Sequence, residues 1–406
     1  MGPLDGIRVI EAASVLNGPV SGYMLGDLGA EVIKVEPPVT GDPSRGFQTL
    51  FDVVMSMPGG GSVLYESANR NKKSIILDLK NETGRAVLYK LIGKSDIFIT
   101  NYNRKVIDTL KIDYNSLKQH NQRLIYAITS SFGSKGHLNE KRGYDMVAQA
   151  VSGAMWIFGE RDSPEPSVAI GSIFDQMGAS MLAYGILAAL VARERTGIGQ
   201  EVESSLLAGA IHLQAQNINT FLWRGRGMAR FSRTRCRNPL TNYYQCADSK
   251  WILLSEPQSA RYWHDFCLAI GMPEIEKDPK FDTAEARRQN YAEFIALLDR
   301  VFASKPRDEW LMVFSRFDFV YSPVYDYAEM IDEPQVIENE YLVNMEHPTM
   351  GKVKTVGFPV RFSQTPASIQ NSAPEFGAHT EEVLLEIGGY SWEDIAEMRE
   401  LGAFGK

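Results

Sequence analysis

The first 36 residues constrain the fold most. Leu4-Asp-Gly-Ile-Arg-Val-Ile-Glu11 reads as a strand, Gly18-Pro19 follows it, Tyr23-Met-Leu-Gly-Asp-Leu-Gly29 reads as a helix, and Ala30-Glu-Val-Ile-Lys-Val-Glu36 as a second strand. A strand, a helix and a strand in so short a span form a βαβ unit, which requires a parallel sheet covered by helices. The turn after the first strand is Ala12-Ala-Ser-Val-Leu-Asn-Gly18 and lacks the spaced glycines of a dinucleotide site, so neither NAD nor FAD is expected.

The alternation continues. Ser74–Asp78, Asp96–Thr100 and Leu124–Thr129 read as further strands, Thr83–Ile92 as a helix, and Gln200–Leu206 as a strand running into a helix. A hairpin is predicted over Asn242–Leu254, turning at Asp248-Ser249; strands are predicted over Val353–Ser363, and a helix capped by Thr380. The expected fold class is α/β: a Rossmann-like large domain over 1–225 and 330–406, and a smaller α/β domain over 226–329. The length of 406 residues allows both.

The net charge of -8 argues against nucleic acid or an anionic membrane as the main partner. No apolar run is read as a membrane span. Cys236, Cys246 and Cys267 lack metal spacing and, with no leader segment recognised, predict a cytoplasmic protein without disulfides. The six histidines are scattered, and HExxH, CxxC, GxSxG and P-loop motifs are absent, so no metal or tightly bound cofactor is expected.

What remains is carboxylate chemistry. In Gly171-Ser-Ile-Phe-Asp175, a single acidic residue stands where a long apolar helix begins, and the helix ends at Arg193, Arg195 and Gly197. Aspartate is a preferred N-cap, so a purely structural role suffices for Asp175. The same place beside orphan N–H groups would also keep a carboxylate ionised and aimed, as a nucleophile must be. Basic clusters at Arg70–Lys73, Arg104-Lys105 and Lys141-Arg142 each stand at the end of a predicted strand or in the loop after one, and open α/β sheets bind ligands beyond their strand ends.

Several ordered motifs resemble the class III coenzyme A transferases of the formyl-CoA transferase and carnitine CoA-transferase type. They are Leu4–Glu11, Gly18-Pro19 through Asp27–Pro37 with Gly41-Asp42 and Arg45, Asn71–Asp78, Gly143–Gln149, Thr196–Gln200 and Gly377–Thr380. The resemblance implies an open-ring chain interlocked with a second subunit, as a homodimer or related heterodimer. It implies coenzyme A as co-substrate, contacted near Val15, Leu16, Lys72, Lys73, Asn101, Tyr102, Arg104 and Arg142. Asp175 matches the acyl-accepting nucleophile, with Tyr144, Asp145 and Gln149 in the substrate pocket. The usual Asn-Phe-Arg-Pro-Gly turn is here Asn101-Tyr-Asn-Arg-Lys105, and the glycine-rich Pro58–Gly61 is a candidate lid or a surface linker.

The resemblance implies CoA transfer from an acyl-CoA, succinyl-CoA for instance, to a carboxylic acid. Phe47, Phe51, Tyr65, Trp156, Phe158 and Trp223 suggest a bulky or aromatic acceptor such as an arylsuccinate. Two alternatives stand beside it. One is an α-methylacyl-CoA racemase, whose acid/base histidine and glutamate are here Tyr144 and Gln245; the other is a catalytically silent subunit of a heterodimer.

Overall fold

The computed structural model describes residues 1–50 and 52–405. Six parallel strands form its main sheet: β1 (Arg8–Ala12), β2 (Glu31–Glu36), β3 (Lys72–Ile76), β4 (Ile97–Thr100), β5 (Ile125–Ser130) and β6 (Glu201–Ser205). Their order in space is β3-β2-β1-β4-β5-β6. The chain thus winds outward from β1 in one direction and then returns to wind in the other. The reversal leaves a crevice at the carboxyl ends of β1 and β4, the place where sheets of this winding bind ligands.

Both faces of the sheet are buried, which is why its strands are nearly continuous apolar runs. Ile10, Ile33, Phe98 and Tyr126 pack on one face with Val87, Leu88 and Leu91 of helix α2 (Glu82–Ile92). Val9, Val32, Ile97, Ile99 and Ile125 point the opposite way, onto Leu25 of α1 (Asn17–Asp27) and Leu182, Ile186 and Leu190 of the long helix that carries Asp175. Three shorter helices border the crevice: α3 (Arg104–Leu110), α4 (Asp145–Val151) and, after β6, α6 (Leu206–Leu213).

The long helix, α5, runs Ile173–Thr196. Its small residues permit close approach: a Cβ on Gly178 would lie 2.6 Å from Asn17 Nδ2, and one on Gly185 2.8 Å from Val202. Gly197 adopts the expected left-handed cap, and Arg193 pairs with Asp96 at 2.9 Å. By length and mean hydropathy α5 could cross a membrane; in the fold, Phe174, Leu182, Ile186 and Leu190 are buried against the protein.

The chain divides into two compact units. The first contains Met1–Ile157, Ser167–Met228 and everything from Glu340 onward; the second contains Phe158–Pro166 and Ala229–Asn339. The second therefore takes a short segment from before α5 and ten residues beyond the expected boundary at 329. It holds an antiparallel sheet of β7 (Thr241–Gln245), β8 (Trp251–Ser255) and β9 (Tyr321–Val324). Phe294, Phe302, Trp310 and Phe314 fill its core.

In the tail, β10 (Leu342–His347) pairs with β11 (Gly351–Val356). The strand expected as far as Ser363 stops at Val356. Thr380 is the first residue of its helix, not the cap: its hydroxyl accepts from the Ile76 N–H and donates to the Gly377 carbonyl.

Candidate active site

The crevice at the reversal is a cleft of about 480 Å³. The loop after β1 contributes Ser14, Val15, Leu16 and Asn17, and the loop after β4 contributes Asn101, Tyr102 and Arg104. Thr129 and Ser130 close the end of β5, while Lys141, Arg142 and Tyr144 precede α4. Asp175 from α5 and Glu203 from β6 complete the polar wall.

The first loop is fixed from beneath. Val15 has a φ of 68°, a left-handed conformation that a β-branched side chain disfavours and that surrounding contacts must hold. Its N–H donates to Asp42 Oδ1 at 3.1 Å. The Asn101 amide clamps Ser14 on both sides, accepting from its N–H at 2.9 Å and donating to its carbonyl at 2.7 Å. Asp42 is in turn anchored by Lys34 at 2.8 Å, Lys34 by Glu11 at 3.0 Å, and Glu11 by Lys72 at 2.8 Å, all with buried side chains. Burial opposes ionisation of Asp42, yet Lys34 and the Ser44 hydrogen bonds hold its carboxyl below the usual range.

This network gives Lys72 a role different from the coenzyme A contact expected of it. Its ammonium is enclosed by Glu11, the carbonyls of Pro19 and Ala68, and Asn69 Oδ1, which exhausts its donors. Burial draws its pKa down to about 8, against the opposing charge of Glu11. Lys73 is also absent from the cleft lining and pairs with Glu31 and Glu382. Val15, Leu16, Asn101, Tyr102, Arg104 and Arg142 do line the cleft. Asn101 acts there as the clamp on Ser14, and Arg104 is paired with Glu201 at 2.9 Å.

Asp175 lies in the first turn of α5, after Ser172, which has a left-handed backbone and makes no side-chain cap bond. The orphan N–H groups are capped from a distance instead. Asp145 of α4 accepts from the N–H of Phe174 at 2.6 Å and of Asp175 at 3.1 Å through Oδ2. Gln149 donates to the other Asp145 oxygen, and exchanges two hydrogen bonds with Ala169 at 2.7 and 2.9 Å. The capping duty assigned to Asp175 by its sequence position is thus performed by Asp145.

The Asp175 carboxylate makes no hydrogen bond or ion pair among the described residues and faces the cleft. The expectation that the helix terminus keeps it ionised is corrected by its surroundings. Burial, and then the charge of Asp145, push its pKa up to about 7. Of the expected pocket trio, Tyr144 lines the cleft, whereas Asp145 and Gln149 stand buried behind it as supports.

Asn17, Glu203 and Thr129 line the cleft without having been singled out. The first follows β1, Thr129 lies near the carboxyl end of β5, the position that the winding rule points to, and Glu203 is the middle residue of β6. The aromatic residues are dispersed. Phe47 lines the cleft, Tyr65 is buried beside Arg45, Trp156 and Trp223 are exposed, and Phe158 belongs to the second unit. Phe51 lies outside the described residues. Pro58–Gly61 forms a turn with Gly59 against Thr349 and does not line the cleft. Among the described residues, no group of three His, Cys, Asp or Glu could hold a metal ion.

An unpaired carboxylate beside cationic side chains at the reversal of a parallel sheet suits an acyl-transfer enzyme, and comparison with known proteins decides the family. The model for CoA-transferase family III matches residues 4–380. The chain belongs to that family. It is a class III CoA-transferase, an enzyme that moves CoA between acyl-CoA and acids. The chain is 30% identical to human succinyl-CoA:glutarate CoA-transferase over 403 residues, covering 98% of this chain and 89% of the human protein. It is 29% identical to succinyl-CoA–D-citramalate CoA-transferase of Chloroflexus aurantiacus, covering 98% and 97% respectively. The crystal structure of a CAIB/BAIF family protein from Brucella suis superposes with a TM-score of 0.84 at 28% identity, covering 95% of this chain and 99% of that one.

Proposed function

We propose that this CoA-transferase works by covalent catalysis at Asp175, with succinyl-CoA as donor and a small aliphatic dicarboxylic acid as acceptor. The observation that carries the mechanism is the division of labour at the start of α5: Asp145 satisfies the helix terminus, leaving the Asp175 carboxylate unpartnered in the cleft. The names of the glutarate and citramalate enzymes support the donor and the acceptor class. Of the six aromatic residues considered for an acyl pocket, only Phe47 among the described ones lines the cleft, but Tyr102 and Tyr144 line it too, so the preference for an aliphatic acceptor rests on those names.

In the first step an Asp175 oxygen attacks the thioester carbonyl of the donor; the C–S bond breaks, giving an aspartyl-acyl anhydride and CoA thiolate. The thiolate attacks the aspartyl carbonyl, forming an aspartyl-CoA thioester and releasing the donor acid. The acceptor carboxylate attacks that thioester to form a new anhydride and free the thiolate. The thiolate then takes the acyl group, and Asp175 is restored. The energy of the thioester is preserved because no step passes through water, which a closed site must exclude. Val15, Leu16, Tyr102, Arg104 and Arg142 line the cleft, which supports their assignment as coenzyme A contacts, with the arginines as partners for its phosphates.

A second subunit belongs to the same proposal. The helix Ala215–Arg224 buries none of its residues and exposes Phe221, Leu222 and Trp223, an apolar surface of the kind that partner chains cover. Cytoplasmic placement is proposed with it and is supported by three free thiols.

The test is a transfer assay with succinyl-CoA against glutarate, citramalate, oxalate and benzylsuccinate. Formation of glutaryl- or citramalyl-CoA by the wild type and its loss in Asp175→Asn are expected. Preference for benzylsuccinate would restore the aromatic acceptor. Activity retained in Asp175→Asn would refute the mechanism, and deuterium uptake at the α carbon without transfer would favour the racemase reading. Inactivity of the pure chain, cured by a related subunit, would favour the silent-subunit reading.

A further inference from the structure

The second unit contains a cavity that shares no residue with the catalytic cleft. Its volume is about 330 Å³, and it is walled by Arg237-Asn238, Pro257–Arg261, Ala284 and Arg287-Arg288. Four arginines line it and no acidic residue does. Arg288 is neutralised by Glu285 at 3.1 Å, but Arg237, Arg261 and Arg287 have no carboxylate partner among the described residues. The nearby Glu256 accepts from the Gln258 N–H instead.

Arg287 is the unusual member, being only 2% exposed. Its guanidinium lies 4.1 Å over the Trp263 ring and donates to the Phe281 carbonyl at 2.7 Å and the Ser259 hydroxyl at 3.2 Å. Its Nε–H has no acceptor. All of these contacting partners are neutral and no carboxylate among the described residues touches the buried guanidinium, an arrangement that an anion would complete. Burial lowers its pKa to about 10 against the pull of Cys267 and Asp282, leaving it charged at neutral pH.

We propose that this cavity binds a small organic anion bearing two or more carboxylate or phosphate groups, with Arg287 as the buried cation and Arg237 and Arg261 as exposed ones. Guanidinium forks suit both kinds of oxyanion. The volume falls at the lower end of small-molecule sites and exceeds the needs of a single inorganic phosphate.

The experiment is isothermal titration of the full chain with citrate, succinate, 3-phosphoglycerate and inorganic phosphate at fixed ionic strength. Wild type, Asp175→Asn and the double variant Arg237→Ala/Arg261→Ala are compared; both arginines are exposed, and urea midpoints verify that the fold is kept. One saturable event per chain is expected for at least one organic anion, retained in Asp175→Asn and weakened at least tenfold in the double variant. The tighter of the carboxylate and phosphate arms identifies the group recognised. Absence of saturable binding, binding by inorganic phosphate alone, or affinity unchanged in the double variant would overturn the proposal. Binding lost in Asp175→Asn but kept in the double variant would assign the event to the catalytic cleft and overturn it as well.

Discussion

Replacing Asp175 with asparagine should stabilise the protein at neutral and alkaline pH while removing its activity. The folded chain holds the Asp175 proton to about pH 7, whereas the unfolded chain releases it near the ordinary 3.8. The folded state therefore binds more protons between these values, and stability from this group is present below about pH 4 and lost as pH rises through about 7. The full difference corresponds to about 4 kcal/mol. Solvent at the cleft mouth screens part of it, and about 2 kcal/mol is a better expectation. Asparagine keeps the shape and carries no charge, so the variant should match the wild type at pH 4 and exceed it by about 2 kcal/mol at pH 8. Thermal melts and urea titrations at both pH values measure this, with a Tm difference on the order of a few degrees at pH 8. A difference independent of pH, or an Asp175→Asn chain less stable at pH 8, would refute the burial and like-charge argument.

Three further outcomes follow from the same contacts. The donor kcat/KM of the wild type should rise through about pH 7 as Asp175 ionises, and the inflection should move lower in Asp145→Asn, which removes the neighbouring charge but keeps an oxygen for the helix terminus; an unmoved inflection would remove Asp145 from the account. Lys34→Met should cost about 3–5 kcal/mol in urea denaturation, because it leaves Glu11 and Asp42 buried with one cation fewer; a neutral effect would show the network to be dispensable. Arg142→Ala should raise KM for acyl-CoA by about tenfold with less effect on kcat, as loss of a phosphate contact does; an unchanged KM would place coenzyme A elsewhere.

The sheet was largely legible because parallel strands buried on both faces are written as short apolar runs, and all six fall within a few residues of their expected places. The start of α1 was not: Asn17-Gly18-Pro19 carries turn residues, and the helix begins there nonetheless. The charged residues inside strands were the signal that could have corrected Lys72. Glu11 and Lys34 are direct partners across β1 and β2, and charges within otherwise apolar parallel strands must pair internally. A reading of basic clusters as ligand contacts cannot separate Lys72, which points into that network, from Arg142, which lines the cleft. The cap of α5 was beyond local reading, since Asp145 lies 30 residues before Asp175 and meets it only through the fold. The inclusion of Phe158–Pro166 in the second unit has the same character: its charged residues, Gly159, Pro164 and Pro166 mark a loop but not the unit that the loop joins.

The central claim is that Asp175 becomes covalently attached to the acyl group and then to CoA. The direct measurement is to incubate the protein with succinyl-CoA, quench with hydroxylamine, and determine the mass of the peptide containing Asp175. The account expects that peptide as its hydroxamate, formed only with donor present and absent from Asp175→Asn. An unmodified Asp175 peptide recovered from protein that is actively transferring CoA would contradict it.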